Sequence, residues 1–151
     1  MPKHTTSSAA EEAEYLKVEM DEVVQSMNKQ ARSRARRATN ALRNSALDVL
    51  GGTGHGRTYR LPSSKGTYVA STPGETPAVR LGDLRRKWRQ YSLAKGTADG
   101  VQITARIKSD MPYSDYLDEG TSKMAARPYK QKIIDDAKPK IIRIYGKHYI
   151  S

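Results

Sequence analysis

Four carboxylates, Asp110, Asp115, Asp118 and Glu119, lie within ten residues of one another. Paired carboxylates do acid–base chemistry when their surroundings push their pKa values apart. Nothing near these four predicts burial, and they read as solvated helix ends. The run Gly51-Gly52-Thr53-Gly54-His55-Gly56 has the glycine density of a phosphate-cradling loop. Such a loop ends in Gly-Lys-Ser/Thr, which places an amine on the phosphates and a hydroxyl on the metal. Here Arg57 follows, so the run predicts a flexible loop. His4, His55 and His148 fall in the N-terminal stretch, the glycine-rich loop and the C-terminus, with no metal-ligand spacing. Cysteine is absent, which excludes disulfides and thiolate metal sites. No nucleophile elbow is present. These residues predict no enzyme, no cofactor and no metal.

The strongest electrostatic feature is Arg32-Ser33-Arg34-Ala35-Arg36-Arg37, followed by Arg43. On a helix Arg32 and Arg36 lie one turn apart, as do Arg34 and Arg37. Such a row can ride along phosphates and give sequence-independent, salt-sensitive binding. The same row can instead meet acids on another subunit or form a solvated face. No recognition helix, zinc finger or aromatic RNA-binding signature accompanies it.

A long helix must carry these arginines. From Ala9 to Leu50 there is neither Pro nor Gly, and Leu16, Met20, Val23, Met27, Ala31, Ala35, Ala38, Leu42 and Ala46 recur at steps of three or four. Ser8 and Glu11 have capping-box spacing, and Gly51-Gly52 is a stop. About 40 residues make a helix near 60 Å long, more than a chain of this size needs, so part of it should project or pack on another subunit. Its first half is acidic (Glu11, Glu12, Glu14, Glu19, Asp21, Glu22) and its second half basic.

Residues 51–80 read as an extended loop or hairpin, with β-prone pieces at Thr58–Leu61 and Thr67–Ala70. A short helix is expected over Leu81–Trp88, and a strand over Arg89–Lys95. The hairpin signal Asp99-Gly100 follows, and then a second strand in which Val101, Ile103, Ala105 and Ile107 alternate with polar residues. Met111–Leu117 predicts a turn and a short helix, and Glu119–Arg127 a loop. A last helix should start at Pro128 and kink or split near Pro139. The fold class is α+β: a long N-terminal helix, a small antiparallel β-sheet with a long loop or hairpin, and a C-terminal helix. Residues 1–8 read as a flexible tail and 9–151 as a single domain.

Composition limits the partners. The chain of 151 residues has 27 Lys plus Arg against 16 Asp plus Glu, a net charge of +11. Leu, Ile, Val and Phe total about 16% of the residues, below the ~20% that marks thin cores. This predicts a fold that completes its burial against neighbours. No apolar run is long enough to span a membrane. No signal segment opens the chain, so a cytoplasmic origin is expected.

Three stretches occur in order: Thr72-Pro73-Gly74-Glu75-Thr76-Pro77 running into Leu81-Gly82-Asp83-Leu84-Arg85; Tyr113-Ser114-Asp115-Tyr116-Leu117-Asp118-Glu119-Gly120-Thr121; and Met124-Ala125-Ala126-Arg127-Pro128-Tyr129. Together they resemble the small neck and tail-completion proteins of tailed bacteriophages, the head–tail joining family, over about residues 57–145. The first helix is longer and richer in arginine than that family's. The resemblance implies a structural virion protein without enzymatic activity, assembled in the host cytoplasm. It implies a homo-oligomeric ring, hexamer or dodecamer, on the portal axis between capsid and tail, with double-stranded DNA passing through its lumen. Its neighbours would be other neck, portal-adaptor and tail proteins. Within that frame Gly82 and Gly120 allow tight turns, and Arg127 bridges to a carboxylate such as Glu119 or an acid of the next subunit. The segment Tyr113–Tyr129 is expected to form the subunit interface through Tyr116, Glu119, Gly120, Thr121, Met124, Arg127 and Tyr129. A free-standing basic protein that binds nucleic acid without sequence preference is the alternative.

Overall fold

The computed structural model describes residues 9–62, 64–98 and 100–149. The expected tail at residues 1–8, with its Ser8 cap, and Asp99 of the expected turn lie outside the described residues.

One helix, α1 (Ala9–Val49), runs for 41 residues without interruption. It stops where expected: Leu50 N–H still reaches the Ala46 carbonyl at 3.0 Å, and Gly51 N–H turns to Asp48 at 3.1 Å. Only the second half of α1 is packed. Ala35, Ala38, Thr39, Ser45 and Ala46 are buried there, whereas every residue from Ala9 to Met27 is exposed.

The fold is α+β as expected, and the strands form two separate two-stranded antiparallel sheets. β1 (Thr58–Arg60) and β2 (Thr67–Val69) make a small hairpin within the long loop. β3 (Trp88–Thr97) and β4 (Gly100–Ser109) pair along their whole length, Trp88 opposite Ser109 and Thr97 opposite Gly100. In β4 the predicted alternation holds from Ile103 onward: Ile103, Ala105 and Ile107 are half-buried on one face while Gln102, Thr104 and Arg106 face outward, and Val101, next to the turn, is exposed. Between the sheets lies a single helical turn, α2 (Asp83–Arg86), shorter than expected because Gly82 begins it at φ 79° and Lys87 leaves helical geometry.

After α3 (Ser114–Glu119) comes α4 (Lys130–Tyr145). Pro128 does not start α4. Helical geometry begins two residues later, where Asp118 Oδ1 accepts from the backbone N–H groups of Tyr129 at 2.8 Å and Lys130 at 3.1 Å. A carboxylate from another element thus supplies the cap that satisfies the first orphan donors of the helix. Pro139 lies inside α4, which is one continuous element rather than two.

α1 and α4 run antiparallel, Lys140 reaching Ser45 and Arg34 reaching Tyr145. Ala35, Ala38, Ala46 and Ala137 are fully or nearly buried, and such small side chains let packed helices approach closely. The core cluster is Ala46, Leu50, Tyr129 and Ile133, with Val49, Leu84, Trp88, Ile107 and Leu117 packed on it. The Trp88 and Tyr129 rings meet edge to face, centroids 6.4 Å apart.

Candidate assembly and nucleic-acid interface

The three motif segments, separated in sequence, interlock in space. Gly74 N–H donates to the Ala126 carbonyl at 3.1 Å, Arg127 N–H to the Leu117 carbonyl at 2.8 Å, and Thr121 and Met124 form an isolated bridge. Gly120 has φ 81°, and a Cβ there would lie 2.7 Å from Ala126 N, so both backbone shape and space require glycine. The Tyr129 hydroxyl donates to the Ser114 carbonyl at 2.9 Å. Burial pushes that hydroxyl up to about 12. Lys130 donates to Asp115 at 2.5 Å, which raises the amine and lowers the carboxyl.

Arg127 does not take Glu119 as its partner here. Its Nε donates to Ser71 Oγ at 2.7 Å, and its terminal nitrogens donate to the Ser71 carbonyl at 3.1 Å and the Ala125 carbonyl at 3.1 Å. The planar fork of a guanidinium suits this two-point grip on one residue. The expected interface residues therefore divide. Tyr116, Glu119 and Thr121 are exposed; Gly120, Met124 and Arg127 are partly buried; Tyr129 is fully buried and belongs to the core. Tyr116, Met124 and Arg127 line an open groove of about 680 Å³ with Tyr68, Leu81 and Tyr113.

Sequence reasoning missed Asp118 as a cap and the clamp at Glu75. Glu75 Oε2 accepts from Thr72 N–H at 2.7 Å and His55 N–H at 3.3 Å, while Oε1 lies 2.7 Å from His55 Nδ1. These bonds, the Thr72 amide foremost, hold its carboxyl down at about 2. The spacing Thr72-x-x-Glu75 is that of a capping box and was a legible signal. In the glycine-rich loop Gly51, Gly52, Thr53 and His55 are exposed, while Gly54 and Gly56 pack on the backbone of Ala70. A Cβ on Gly54 would sit 2.1 Å from the Ala70 carbonyl oxygen, so these glycines serve a close backbone approach.

The arginine row also divides. Arg34 is 3% exposed. It points away from solvent partners and donates to the carbonyls of Tyr145 at 3.3 Å and His148 at 2.6 Å, with its guanidinium 3.7 Å from the Tyr149 ring centre. It caps the C-terminus of α4, where a cation complements the helix dipole. The reading of Arg34 as a DNA or neighbour contact is corrected by this burial. Arg32, Arg36 and Arg37 are exposed and Arg43 is half-buried. At helical spacing Arg32, Arg36 and Arg43 share one stripe.

A second basic surface escaped the sequence reading. Strand register puts Arg89, Tyr91, Leu93 and Lys95 opposite Lys108, Arg106, Thr104 and Gln102 on the outer face of the β3–β4 hairpin. Arg106 lies 5.1 Å from the Tyr91 ring centre, and Arg89 pairs with Asp110 at 2.8 Å. Thr97 pairs with Gly100 at the end of the hairpin, and counting back along the two strands from there would have found the face.

Among the described residues no cluster of His, Asp and Glu could hold a metal ion, and no helix is long and apolar enough to cross a membrane. No family model matches the chain, and no curated protein or solved structure matches it.

Proposed function

We propose that this chain is a structural subunit of a tailed-bacteriophage neck, forming a homo-oligomeric ring that joins capsid to tail around the DNA channel. It has no catalytic step in this reading. The observation that carries it is the two-sided fate of one helix face. The apolar stripe of α1 is buried from Ala35 to Ala46 and bare from Leu16 to Met27. Monomeric proteins rarely leave such a contiguous apolar surface in water. The motif resemblance names the kind of assembly that would cover it, and the interlocked motif segments fit a rigid ring subunit.

Duplex DNA is the proposed content of the ring. Arg32, Arg36 and Arg37 on α1, with Lys95, Arg106 and Lys108 on the hairpin, supply sequence-independent attraction to phosphates. The same bases favour a second reading, a free-standing basic protein that binds nucleic acid without sequence preference.

Electron microscopy of the purified full chain separates the two. The neck reading expects closed annuli with an open axis wide enough for duplex DNA. A chain that stays monomeric at every concentration, yet retains DNA at low salt, contradicts it and supports the second reading.

A further inference from the structure

The bare half of α1 has a defined geometry. Leu16, Met20, Val23 and Met27 repeat at steps of four, three and four, the spacing of a helix-pairing seam. Leu16 is 57% and Met20 68% exposed. The segment is acidic overall: residues 13–27 hold Glu14, Glu19, Asp21 and Glu22 against Lys17 alone, and Glu19 is the acid beside the stripe.

A matching stripe lies on α4. Ile134, Lys138, Ile142 and Tyr145 repeat at steps of four, four and three on a face other than the one buried against α1, which uses Ile133 and Ala137. Ile134 is 50% and Ile142 60% exposed. The two stripes have the same length, since each spans eleven residue steps. The net charges of the two segments are opposite: on α4 Lys132, Lys138 and Arg143 stand against Asp135, while Lys130 pairs with Asp115 and Lys140 with Asp136.

We propose that the projecting half of α1 from one copy docks along the Ile134–Tyr145 stripe of α4 in the next copy. Pairing of the projecting half of α1 with its own copy would bring like charges together, and a nucleic acid would meet an acidic surface. The basic, apolar stripe of a second copy answers both the shape and the sign. Because donor and acceptor surfaces differ, the contact is heterologous and propagates head to tail, closing into a ring when the rotation permits. The closure rests on the neck reading; the pairwise contact does not. Three turns of helix make an interface smaller than standard size. Two such contacts per subunit in a closed ring, rather than one in an open pair, then hold the assembly.

The chain lacks cysteine, which makes the test clean. Met20→Cys and Lys138→Cys lie within three residues of opposition whichever way the helices run, so a long-armed bifunctional thiol reagent joins them in either direction, where a direct disulfide would need one exact register. Both positions are exposed, and unchanged melting of each variant confirms the monomer fold. With that reagent the mixture of the two variants should give a cross-linked pair, while either alone gives little. Adding Val23→Glu to the Met20→Cys chain should abolish the cross-link, and rising salt should slow it. No cross-link in the mixture overturns the proposal. Equally efficient cross-linking of Met20→Cys alone also overturns it, in favour of α1–α1 pairing. A mixed cross-link without closed rings leaves this contact standing and contradicts the neck reading; rings without the cross-link do the reverse.

Discussion

The guanidinium of Arg127 grips Ser71 twice, at Oγ and at the carbonyl, across 56 residues of sequence. This joins the loop before the Thr-Pro-Gly-Glu turn to the segment that launches α4. The connector is therefore fastened to its own chain before any neighbour arrives.

Arg127→Ala should lower the stability of the monomer itself. Charged hydrogen bonds contribute about 1.5–3 kcal/mol each when desolvated, and these are partly exposed, so the lower end is expected. Arg127→Lys should recover less than half, because an ammonium cannot reproduce the two-point grip. Urea unfolding of the three proteins checks this. Unchanged unfolding with failed assembly would instead place Arg127 at an interface.

Arg34→Met should fray the end of α4. It removes two bonds to the carbonyls of Tyr145 and His148 and the stacking on Tyr149. A loss of about 1.5–3 kcal/mol is expected. Hydrogen exchange should speed up at amides near Ile142–Gly146 first. Protection unchanged there would contradict the capping role.

The helices and the β3–β4 hairpin were legible because their periods are local: steps of three or four along α1 and alternation along β4. The role of Arg34 was not, since its partners lie more than 110 residues away. Within a run of four arginines nothing local distinguishes the one that turns inward. Asp118 is similar: as a cap for a helix starting twelve residues later, it needs the fold of the connector to bring it there. Pro128 misled because proline favours a first helical turn, whereas here an incoming carboxylate sets the start two residues on.

Acid should loosen the 52–80 loop late. The Glu75 carboxyl lies at about 2, below its ordinary 4.5. A lowered folded-state value means stability that is full above 4.5 and lost as pH falls toward 2. Glu75→Gln should remove this part of the acid limb. At the alkaline end the sign reverses for Tyr129, raised from 10 to about 12. Its contribution is full below pH 10 and lost as pH rises toward 12. Tyr129→Phe should flatten that limb and cost about 1 kcal/mol for the bond to Ser114. Unfolding midpoints measured across pH decide both.

Replacing Arg32, Arg36, Arg37 and Arg43 by Gln should leave melting within about 0.5 kcal/mol for the exposed positions. It should weaken DNA retention and reduce its salt dependence, with no change in base preference. Including Arg34→Gln in the set should add a stability loss without a further drop in salt slope. Retention unaffected by the four substitutions would reduce the stripe to a solvated face.

The central claim is that α1 is left half-bare because another copy covers it. Native mass of the full chain, measured from dilute to concentrated solution, tests it most directly. The account predicts a shift from monomer to one closed oligomer, hexamer or dodecamer, lost when Met20 and Val23 are replaced by Glu. A monomer at all concentrations, or an oligomer indifferent to those two substitutions, would contradict it.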